Sequence, residues 1–409
     1  MTKSVEKAYE RIKDVVSHTP LEFNERLSKK YKAQIYLKRE DLQIIRSYKI
    51  RGAYNRISLL TEKEREKGVV CASAGNHAQG VAYSCKKLKI KGYIYMPQNT
   101  PRQKVERVSM LGEKWVELVM QGDSFDEAYK EAKKLSKEKG LTFIHPFDDK
   151  ETIAGQGTIA IEVLNDLQTA PDYFVIPVGG GGLSSGIASY VQNTRSKIIG
   201  AEPEGTPSMT ESLKAGKVVT VDSLDKFVDG ASVATVGKHS FRILKDTIQK
   251  MVVVPEGLIC EEMINLYQNE GIVSEPAGAL SISALEDIKK EIKGKTVVCI
   301  LSGGNNDISR YAEIMERSLI YKGLKHYFVI EFPQRPGALR QYLDEVLGPR
   351  DDITFFEYMK KNHKEFGPAL VGIELVKKED LKPLIKNMKN AGFGYEKIDN
   401  ESSLFRFIV

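Results

Sequence analysis

Cysteine is scarce in this chain, and no two cysteines are close together in the sequence. The 409 residues contain no CxxC pair, and the widely separated cysteines are Cys71, Cys85, Cys260 and Cys299. Most of them sit in apolar runs, so neither a disulfide framework nor a zinc site is supported. We therefore predict reduced, buried thiols in a cytoplasmic protein.

Long apolar runs and a strong excess of one charge are also missing. No run of eighteen apolar residues occurs, so we predict no transmembrane helix. The amphipathic N-terminus lacks the apolar core of a secretory signal. The net charge is +6, from 61 basic and 55 acidic residues, and the short lysine clusters are typical of solvated helix faces. These absences predict neither a membrane nor a nucleic-acid partner.

The order of apolar patterns predicts two kinds of domain. Short apolar strands alternate with helical patterns from about residue 35 to 305, which indicates an α/β domain with parallel-type sheets. Ligands in such folds bind beyond the carboxyl ends of the strands. The order then becomes β-α-β-β-α-β, with SLFRFIV as the last strand, which predicts a ferredoxin-like α+β domain. We place the two domains at residues 1–322 and 325–409.

The segment RSYKIRGAYN, residues 46–55, predicts a helix start with an unusual charge pattern. Ser47 is a good N-cap, but Arg46, Lys49 and Arg51 crowd a helix end that prefers acidic side chains. Either these cations reach solvent or one of them is neutral. A lysine that loses its proton in such a place becomes an amine nucleophile.

Four consecutive glycines, residues 179–182, join the apolar strand and the helical pattern of FVIPVGGGGL and its continuation. Their N–H groups, beside a helix N-terminus, could cradle a phosphate. The segment is neither a P-loop nor a dinucleotide fingerprint. A flexible strand-to-helix turn is the alternative, although one or two glycines would serve that purpose.

Three further segments are ambiguous when taken alone. The loop of CASAGNHAQG is either an ordinary turn or an anion site, whose candidates would be Ser73, Ala74, Gly75 and Asn76. His77 in the same segment fits a structural histidine better than a base. Ser302 in TVVCILSGGNND ends a buried strand, where its hydroxyl could meet a ring nitrogen or belong to a turn. The turn HPFDD, residues 145–149, supports a metal site only poorly.

The segments converge on one cofactor when they are combined. Pyridoxal 5′-phosphate has an aldehyde for the lysine, a phosphate for the glycines and a ring nitrogen for the serine. In their order, the motifs SYKIRGAYN, SAGNHAQG, HPFDD, AGQGT, GGGGL and LSGGN resemble the fold-type II (tryptophan synthase β-like) pyridoxal-phosphate enzymes. The resemblance is greatest to the biosynthetic threonine dehydratases (threonine deaminases, threonine ammonia-lyases), over roughly residues 5 to 320.

This resemblance implies a role for each matching residue. It implies that Lys49 binds the cofactor covalently and takes the Cα proton of the substrate. Asn76 would contact the phenolic oxygen of the cofactor, and Ser302 would face its pyridine nitrogen. The cofactor phosphate would be held by Gly179, Gly180, Gly181, Gly182 and Leu183. The substrate carboxylate would be held by Ser73, Ala74, Gly75 and Asn76.

The same resemblance implies the reaction and its control. L-threonine would give 2-oxobutanoate and ammonia, the first step of isoleucine biosynthesis, with L-serine as a side substrate. Ala74 stands where serine racemases carry a serine, which speaks against racemisation, and no metal is expected near GAEPEGTPSM. The segment EFPQRPGAL resembles an ACT-like regulatory domain, which implies inhibition by L-isoleucine, opposed by L-valine. Homotetramers are usual in the family.

Two alternatives remain open from the sequence. A serine dehydratase or a generalist hydroxy-amino-acid lyase would have the same fold. A non-catalytic amino-acid sensor is the alternative from another class. The intact Lys49, glycine run and Ser302 argue against the sensor, which would be free to lose the lysine.

Overall fold

The structure is a computed structural model that describes residues 1–222, 225–360, 364–399 and 402–408. The chain divides into a first compact unit, Met1–Asn306, and a second that begins at Asp307. In the first unit the described strands, in chain order, are β1 (Leu21–Phe23), β2 (Gln34–Arg39), β3 (Val69–Ala72), β4 (Gly92–Met96), β5 (Val116–Met120), β6 (Thr142–Phe143), β7 (Tyr173–Pro177), β8 (Lys197–Pro203), β9 (Ile248–Val254) and β10 (Thr296–Leu301).

Helices separate most of these strands, as the alternating sequence pattern predicts. In the first unit the described α-helices are α1 (Thr2–Ile12), α2 (Glu25–Tyr31), α3 (Lys49–Ser58), α4 (Glu62–Lys67), α5 (Asn76–Leu88), α6 (Arg102–Gly112), α7 (Phe125–Lys139), α8 (Lys150–Leu167), α9 (Gly182–Val191), α10 (Ser208–Ala215), α11 (Lys238–Thr247), α12 (Glu256–Glu270), α13 (Pro276–Ser283) and α14 (Leu285–Ile288). Short 3-10 helices occupy Glu40–Leu42, Glu113–Trp115, Ile308–Arg310 and Lys378–Asp380.

The described strands of the first unit form two sheets. A six-stranded sheet has the order β1-β2-β10-β7-β8-β9 and is parallel except for β1 at its edge. A four-stranded parallel sheet has the order β5-β4-β3-β6. All five residues of β7 are buried, as expected for a central parallel strand that helices cover on both faces. The carboxyl ends of β7 and β10 therefore lie side by side.

Helix α3 buries the apolar face that its sequence predicts, but its first turn differs from the prediction. Ile50 and Ala53 are fully buried in one core cluster. Tyr48 rather than Ser47 is the N-cap, and it makes no side-chain cap bond, so the predicted cap is wrong. The reason is long-range: Tyr48 N–H donates to the Ser302 carbonyl at 3.1 Å, and Ser47 bridges to Gly303. These backbone bonds orient the segment before the helix and leave the Ser47 hydroxyl buried without a partner in the described structure.

The second unit has the predicted ferredoxin-like order with a different last strand. Its described elements are α15 (Tyr311–Tyr321), β11 (Lys325–Pro333), α16 (Ala338–Glu345), β12 (Asp352–Tyr358), β13 (Phe366–Glu374), α17 (Leu381–Asn390), β14 (Gly394–Lys397) and α18 (Ser403–Ile408). The four described strands form an antiparallel sheet of order β12-β13-β11-β14.

The segment SLFRFIV is therefore helical where the structure describes it, and its prediction as a strand is wrong. Both neighbours of the central strand β11 are already taken, by β13 on one side and β14 on the other. Helix α15 groups with the second unit, whereas the predicted boundary of 322 to 325 lies at the end of that helix. In the described residues no helix has both the length and the apolar character needed to cross a membrane.

Candidate active site

Lys49 begins helix α3 at the ends of the central strands, and its pKa is lower than that of an ordinary lysine. Its Nζ donates to the Pro146 carbonyl at 3.0 Å. Burial lowers the pKa of Lys49 to about 8, against the opposing attraction of Glu275. A carbonyl is a neutral acceptor, so it does not hold the lysine proton as a carboxylate would. Lys49 thus has the lowered pKa that amine nucleophiles and general bases need.

The other two cations of this turn have different environments. Arg46 is exposed and has a left-handed backbone, with φ of 56°. Arg51 is fully buried, and its guanidinium forms ion pairs of 2.7 Å with both Glu40 and Glu162. Of the two explanations for the crowded cations, the first applies to Arg46, which reaches solvent. Lys49 moves toward the second, because its lowered pKa makes the neutral form accessible near pH 8, while Arg51 is neutralised by buried carboxylates.

The four glycines form a tightly packed loop between β7 and α9. A Cβ on Gly180 would lie 2.5 Å or less from three ring carbons of Phe147, and one on Gly182 would lie 2.9 Å from the Phe147 carbonyl oxygen. Gly181 has φ of +86°, a conformation that side chains disfavour. Close approach and backbone geometry require these glycines, so the loop is more than a flexible turn. Helix α9 starts at Gly182, which gives the loop the partial positive charge of a helix N-terminus.

A buried hydroxyl next to this loop was not predicted from the sequence. Ser240 is fully buried, and its Oγ has no hydrogen-bond partner in the described structure. Its Cβ lies 2.8 Å from the position that a Cβ on Gly181 would occupy. A buried hydroxyl without a partner is costly unless something fills its place. The glycine loop and this hydroxyl together suit an oxygen-rich anion such as a phosphate.

The turn HPFDD connects Lys49 to the glycine loop. Pro146 accepts from Lys49 and the next residue, Phe147, packs on Gly180 and Gly182. Asp148 accepts from the N–H groups of Lys238 at 3.0 Å and His239 at 2.8 Å, which caps helix α11. The acidic turn therefore organises the site, and its first aspartate is occupied by backbone amides.

His145 fixes the shape of the same turn. Its Nδ1 accepts from the N–H groups of Phe147 at 3.3 Å and Asp148 at 2.8 Å. Burial lowers the pKa of His145 to about 4, so the ring stays neutral and remains an acceptor at neutral pH. These contacts cannot be read from the sequence, because HPFDD has no periodic pattern and its partners are distant in the chain.

Ser302 follows β10 and is buried beside Lys49. Its carbonyl accepts from Tyr48 N–H at 3.1 Å, and its hydroxyl donates to the Ala277 carbonyl at 3.2 Å. The backbone of Ser302 thus contacts the residue before Lys49, while its hydroxyl faces the start of α13. A serine hydroxyl can rotate to donate or accept, so it can also form a hydrogen bond with a ring nitrogen.

The loop from Ser73 to Asn76 forms the N-terminus of helix α5. Gly75 is the N-cap, and a Cβ at Gly75 would meet nothing within 4 Å, so the loop borders open space. Ser73 Oγ accepts from Gly75 N–H at 3.2 Å. Ala74 and the other loop residues are partly buried. The partial positive charge of a helix start suits a carboxylate here.

His77, the next residue of α5, is a structural histidine. Its Nε2 lies 2.9 Å from the Ile144 carbonyl, which can only accept, so Nε2 carries the proton. Burial, with the nearby charge of Lys49, lowers the pKa of His77 to about 3. The ring is neutral at any pH at which the protein would function.

Asn76 belongs to a polar cluster that includes a buried carboxylate. Its Nδ2 donates to Glu275 Oε1 at 2.7 Å, and its Oδ1 accepts from Asn305 Nδ2 at 2.7 Å. Burial and the charge of Asp229 raise the pKa of Glu275 to about 7, although its hydrogen bond from Asn76 opposes this. Glu275 was missed in the sequence, where only its position before Pro276 at a helix start marks it.

Comparison with known proteins identifies two families along the chain. Residues 12–303 match the model of the pyridoxal-phosphate dependent enzymes, and residues 316–408 match that of the C-terminal regulatory domain of threonine dehydratase. The curated protein L-threonine dehydratase biosynthetic IlvA of Bacillus subtilis is 54% identical over 409 residues, covering 100% of this chain and 97% of that protein. Its counterpart in Halalkalibacterium halodurans is 53% identical over 404 residues, covering 98% and 97%.

Two solved structures superpose on more than three quarters of the chain. The processed form of threonine deaminase isoform 2 from Solanum lycopersicum superposes with a TM-score of 0.73 and 38% identity, covering 78% of this chain and 94% of that one. Maize serine racemase superposes with a TM-score of 0.71 and 31% identity, covering 78% and 98%. The α/β fold predicted for the larger domain is confirmed by these neighbours.

Proposed function

Because the chain belongs to the pyridoxal-phosphate dependent enzymes and carries the regulatory domain of threonine dehydratase, we propose that it deaminates L-threonine. The products are 2-oxobutanoate and ammonia, in the first step of isoleucine biosynthesis. The observation that carries this function is the full-length identity of 54% with the Bacillus subtilis L-threonine dehydratase. The lowered pKa of Lys49, at the start of α3, is the chemical feature that agrees with it.

Pyridoxal 5′-phosphate fits the residues that are present. A lysine with a lowered pKa, a crowded glycine loop and an unpartnered buried hydroxyl at Ser240 match its aldehyde and phosphate. Residues that would hold the cofactor are Lys49, Asn76, Ser302, Gly179, Gly180, Gly181, Gly182 and Leu183. When bound, the cofactor supplies a conjugated ring that accepts the electron pair left on the substrate after loss of the Cα proton.

The residues of the chain would perform the proton transfer and bind the substrate. Lys49, once free of the cofactor, takes the Cα proton as a general base. The amides of residues 73–76 bind the substrate carboxylate and orient the Cα–H bond. The β-hydroxyl leaves as water with the proton that Lys49 returns, and the released enamine takes up one water to give the 2-oxo acid and ammonia. Ser302 offers the pyridine nitrogen a neutral hydroxyl, which suits elimination better than reactions that need a long-lived carbanion.

Racemisation and serine dehydration are related activities that can be distinguished from threonine deamination, the first by a residue of the site and the second by an assay. Ala74 has no hydroxyl to deliver a proton to the second face of the substrate, so racemisation is disfavoured. L-serine fits the same chemistry and should be a slower side substrate that gives pyruvate. The ratio of rates on L-threonine and L-serine separates a threonine dehydratase from a serine dehydratase.

The second unit gives the enzyme a means of control. Its match to a threonine dehydratase regulatory domain supports binding of an amino-acid effector, and we assign L-isoleucine as the inhibitor, with L-valine opposing it. A homotetramer and a cytoplasmic location complete the proposal. Light scattering on the purified protein measures the oligomer directly, and any other subunit number would correct that part alone.

The deciding experiment measures 2-oxobutanoate formed from L-threonine, with and without L-isoleucine. Turnover that L-isoleucine suppresses supports the reaction and the effector together. Turnover that L-isoleucine does not change would support the proposed reaction and overturn L-isoleucine as the effector. Protein that takes up pyridoxal phosphate and still yields no 2-oxobutanoate would overturn the substrate, and protein that takes up none would point to the amino-acid sensor.

A further inference from the structure

Glu275 is a buried carboxylate in the site with no role assigned so far. It is 6% exposed and is the N-cap of α13, where Pro276 fixes the direction of the helix start. A Cβ on Gly303 would lie 2.9 Å from Glu275 Cδ, so the glycine after Ser302 leaves room for the carboxylate. The Glu275 N–H donates to the Gly303 carbonyl at 3.2 Å. Backbone and neighbours thus hold this carboxylate in one place.

The contacts of Glu275 determine which way the Asn76 amide points. In its ionised form, which predominates above about pH 7, the Glu275 carboxylate can only accept, so the atom of Asn76 that faces it at 2.7 Å is Nδ2. Asn305 Nδ2 donates to the opposite atom, Asn76 Oδ1, at 2.7 Å. Both ends of the amide are therefore assigned by their partners. One N–H of Asn76 remains available.

Charged and titratable groups surround the carboxylate from several elements. Lys49 on α3 and Tyr48 before it both respond to its charge. Lys104 on α6 and Asp229 form an ion pair of 2.8 Å, and both also act on Glu275. Lys49 has a neutral carbonyl as its hydrogen-bond acceptor, so Glu275 is the carboxylate that favours its protonated form.

A Cβ on Gly303 would lie 2.4 Å from Glu275 Oε1 and 3.2 Å from Ser47 Cβ, so the carboxylate lies close to the segment that leads into Lys49. We infer that Glu275 is a positioning residue, which fixes the Asn76 amide at the cofactor site and places a negative charge near the first turn of α3. The inference rests on the proposed function, because it concerns the same cofactor site. These two roles of Glu275 require different properties of its side chain. Holding the amide needs only a hydrogen-bond acceptor, whereas acting on Lys49 needs the charge.

Two substitutions separate these parts in the full-length protein. Glu275→Gln keeps an oxygen that can accept from Asn76 and removes the charge. Glu275→Ala removes both. The control is Glu202→Gln, because Glu202 is also buried with its pKa raised to about 7, yet it caps α10 through the N–H of Met209 at 2.6 Å. Urea unfolding midpoints of all the variants identify any general loss of folding.

The first readout is the rate at which cofactor-free protein takes up pyridoxal phosphate, measured against pH. Neutral Lys49 is the reactive form, so uptake accelerates through the pKa of Lys49. In Glu275→Gln this rise should move to lower pH by about one unit, since a nearby opposite charge favours the protonated lysine. The rise should not move in Glu202→Gln. An unchanged rise in Glu275→Gln would overturn the electrostatic part.

The second readout is the dissociation constant of pyridoxal phosphate, measured by equilibrium dialysis. Glu275→Ala should weaken binding about tenfold, the usual effect of losing a hydrogen bond in a charged network. Glu275→Gln should remain within about threefold of wild type. Wild-type affinity in Glu275→Ala would overturn the positioning part. If wild-type protein itself bound no pyridoxal phosphate, the proposed function would fail, which is a different result from unchanged variants.

Discussion

Replacement of the Arg51 side chain should destabilise the first unit by several kcal/mol, about 3–5 kcal/mol for a broken buried ion pair. Its guanidinium donates to Glu40 at 2.7 and 2.8 Å and to Glu162 at 2.7 and 2.8 Å, with all three side chains buried. Lys38 Nζ, also buried, lies 2.6 Å from Glu162 Oε2. Two cations and two anions thus balance in the interior. Arg51→Met keeps the bulk of the side chain and leaves one buried anion unpaired.

The expected loss follows from that imbalance. Removing one partner of a buried ion pair costs roughly 3–5 kcal/mol, because a buried charge is left without a cation to compensate its desolvation. Domains are stable by only about 5–15 kcal/mol in total. The free energy of unfolding of the first unit should therefore fall by about a fifth or more. Helix α3 should loosen at its first turn, two residues from Lys49.

Urea unfolding at pH 7, followed by tryptophan fluorescence, measures this loss. Trp115 is the single tryptophan of the chain and lies in the first unit, so the signal reports that unit. The matched control is Arg102→Met, which removes an exposed pair with Glu106 and should cost about 1 kcal/mol or less. Arg51→Met combined with Glu40→Met restores the charge balance and should recover part of the stability.

Lower pH supplies a second test of the same reasoning. Burial raises the pKa of Glu162, but Arg51 and Lys38 outweigh it and hold the pKa below the ordinary 4.5. A lowered carboxyl pKa stabilises the folded protein at neutral pH, and that stability is lost as the pH falls through the folded pKa. In Arg51→Met the carboxylates protonate more easily, so the gap between variant and wild type should narrow at pH 4. A loss below about 1 kcal/mol at pH 7 would refute the argument.

Three other predictions concern the cofactor site. Lys49→Ala should abolish 2-oxobutanoate formation while circular dichroism stays close to wild type, and wild-type rates would exclude Lys49. Gly180→Ala should displace Phe147, cost about 1–3 kcal/mol and weaken pyridoxal phosphate binding. Gly112→Ala, where a Cβ would lie 2.8 Å from Val116 Cγ1, should lose stability by urea unfolding with unchanged binding. Uptake of pyridoxal phosphate by cofactor-free wild type should rise with pH and level off above about 8, the pKa of Lys49, and a stopped-flow pH series checks this.

Local patterns in the sequence predict the fold well, but they do not predict the contacts within the site. Alternating strands and helices and the run of four glycines are readable over short windows, and the structure confirms the α/β and ferredoxin-like architectures. Glu275 is different, since its hydrogen bond to Asn76 joins residues 199 positions apart. Ser47 was mistaken for a cap because its competing partner, Gly303, lies at the end of a distant strand. Contacts of this length leave no periodic signal.

The crowded first turn of α3 shows how such distant contacts can set the chemistry of one side chain. Arg51 is neutralised by the buried carboxylates Glu40 and Glu162, each of which its planar fork binds through two hydrogen bonds. Lys49 is left with the neutral Pro146 carbonyl as its acceptor. Its desolvation is therefore only partly compensated, by the more distant charge of Glu275, and its pKa falls. Lys49 and Arg51 are two residues apart and do not face each other on the helix, so the two cations meet different acceptors, and the distant residues that supply those acceptors decide which cation has the lowered pKa.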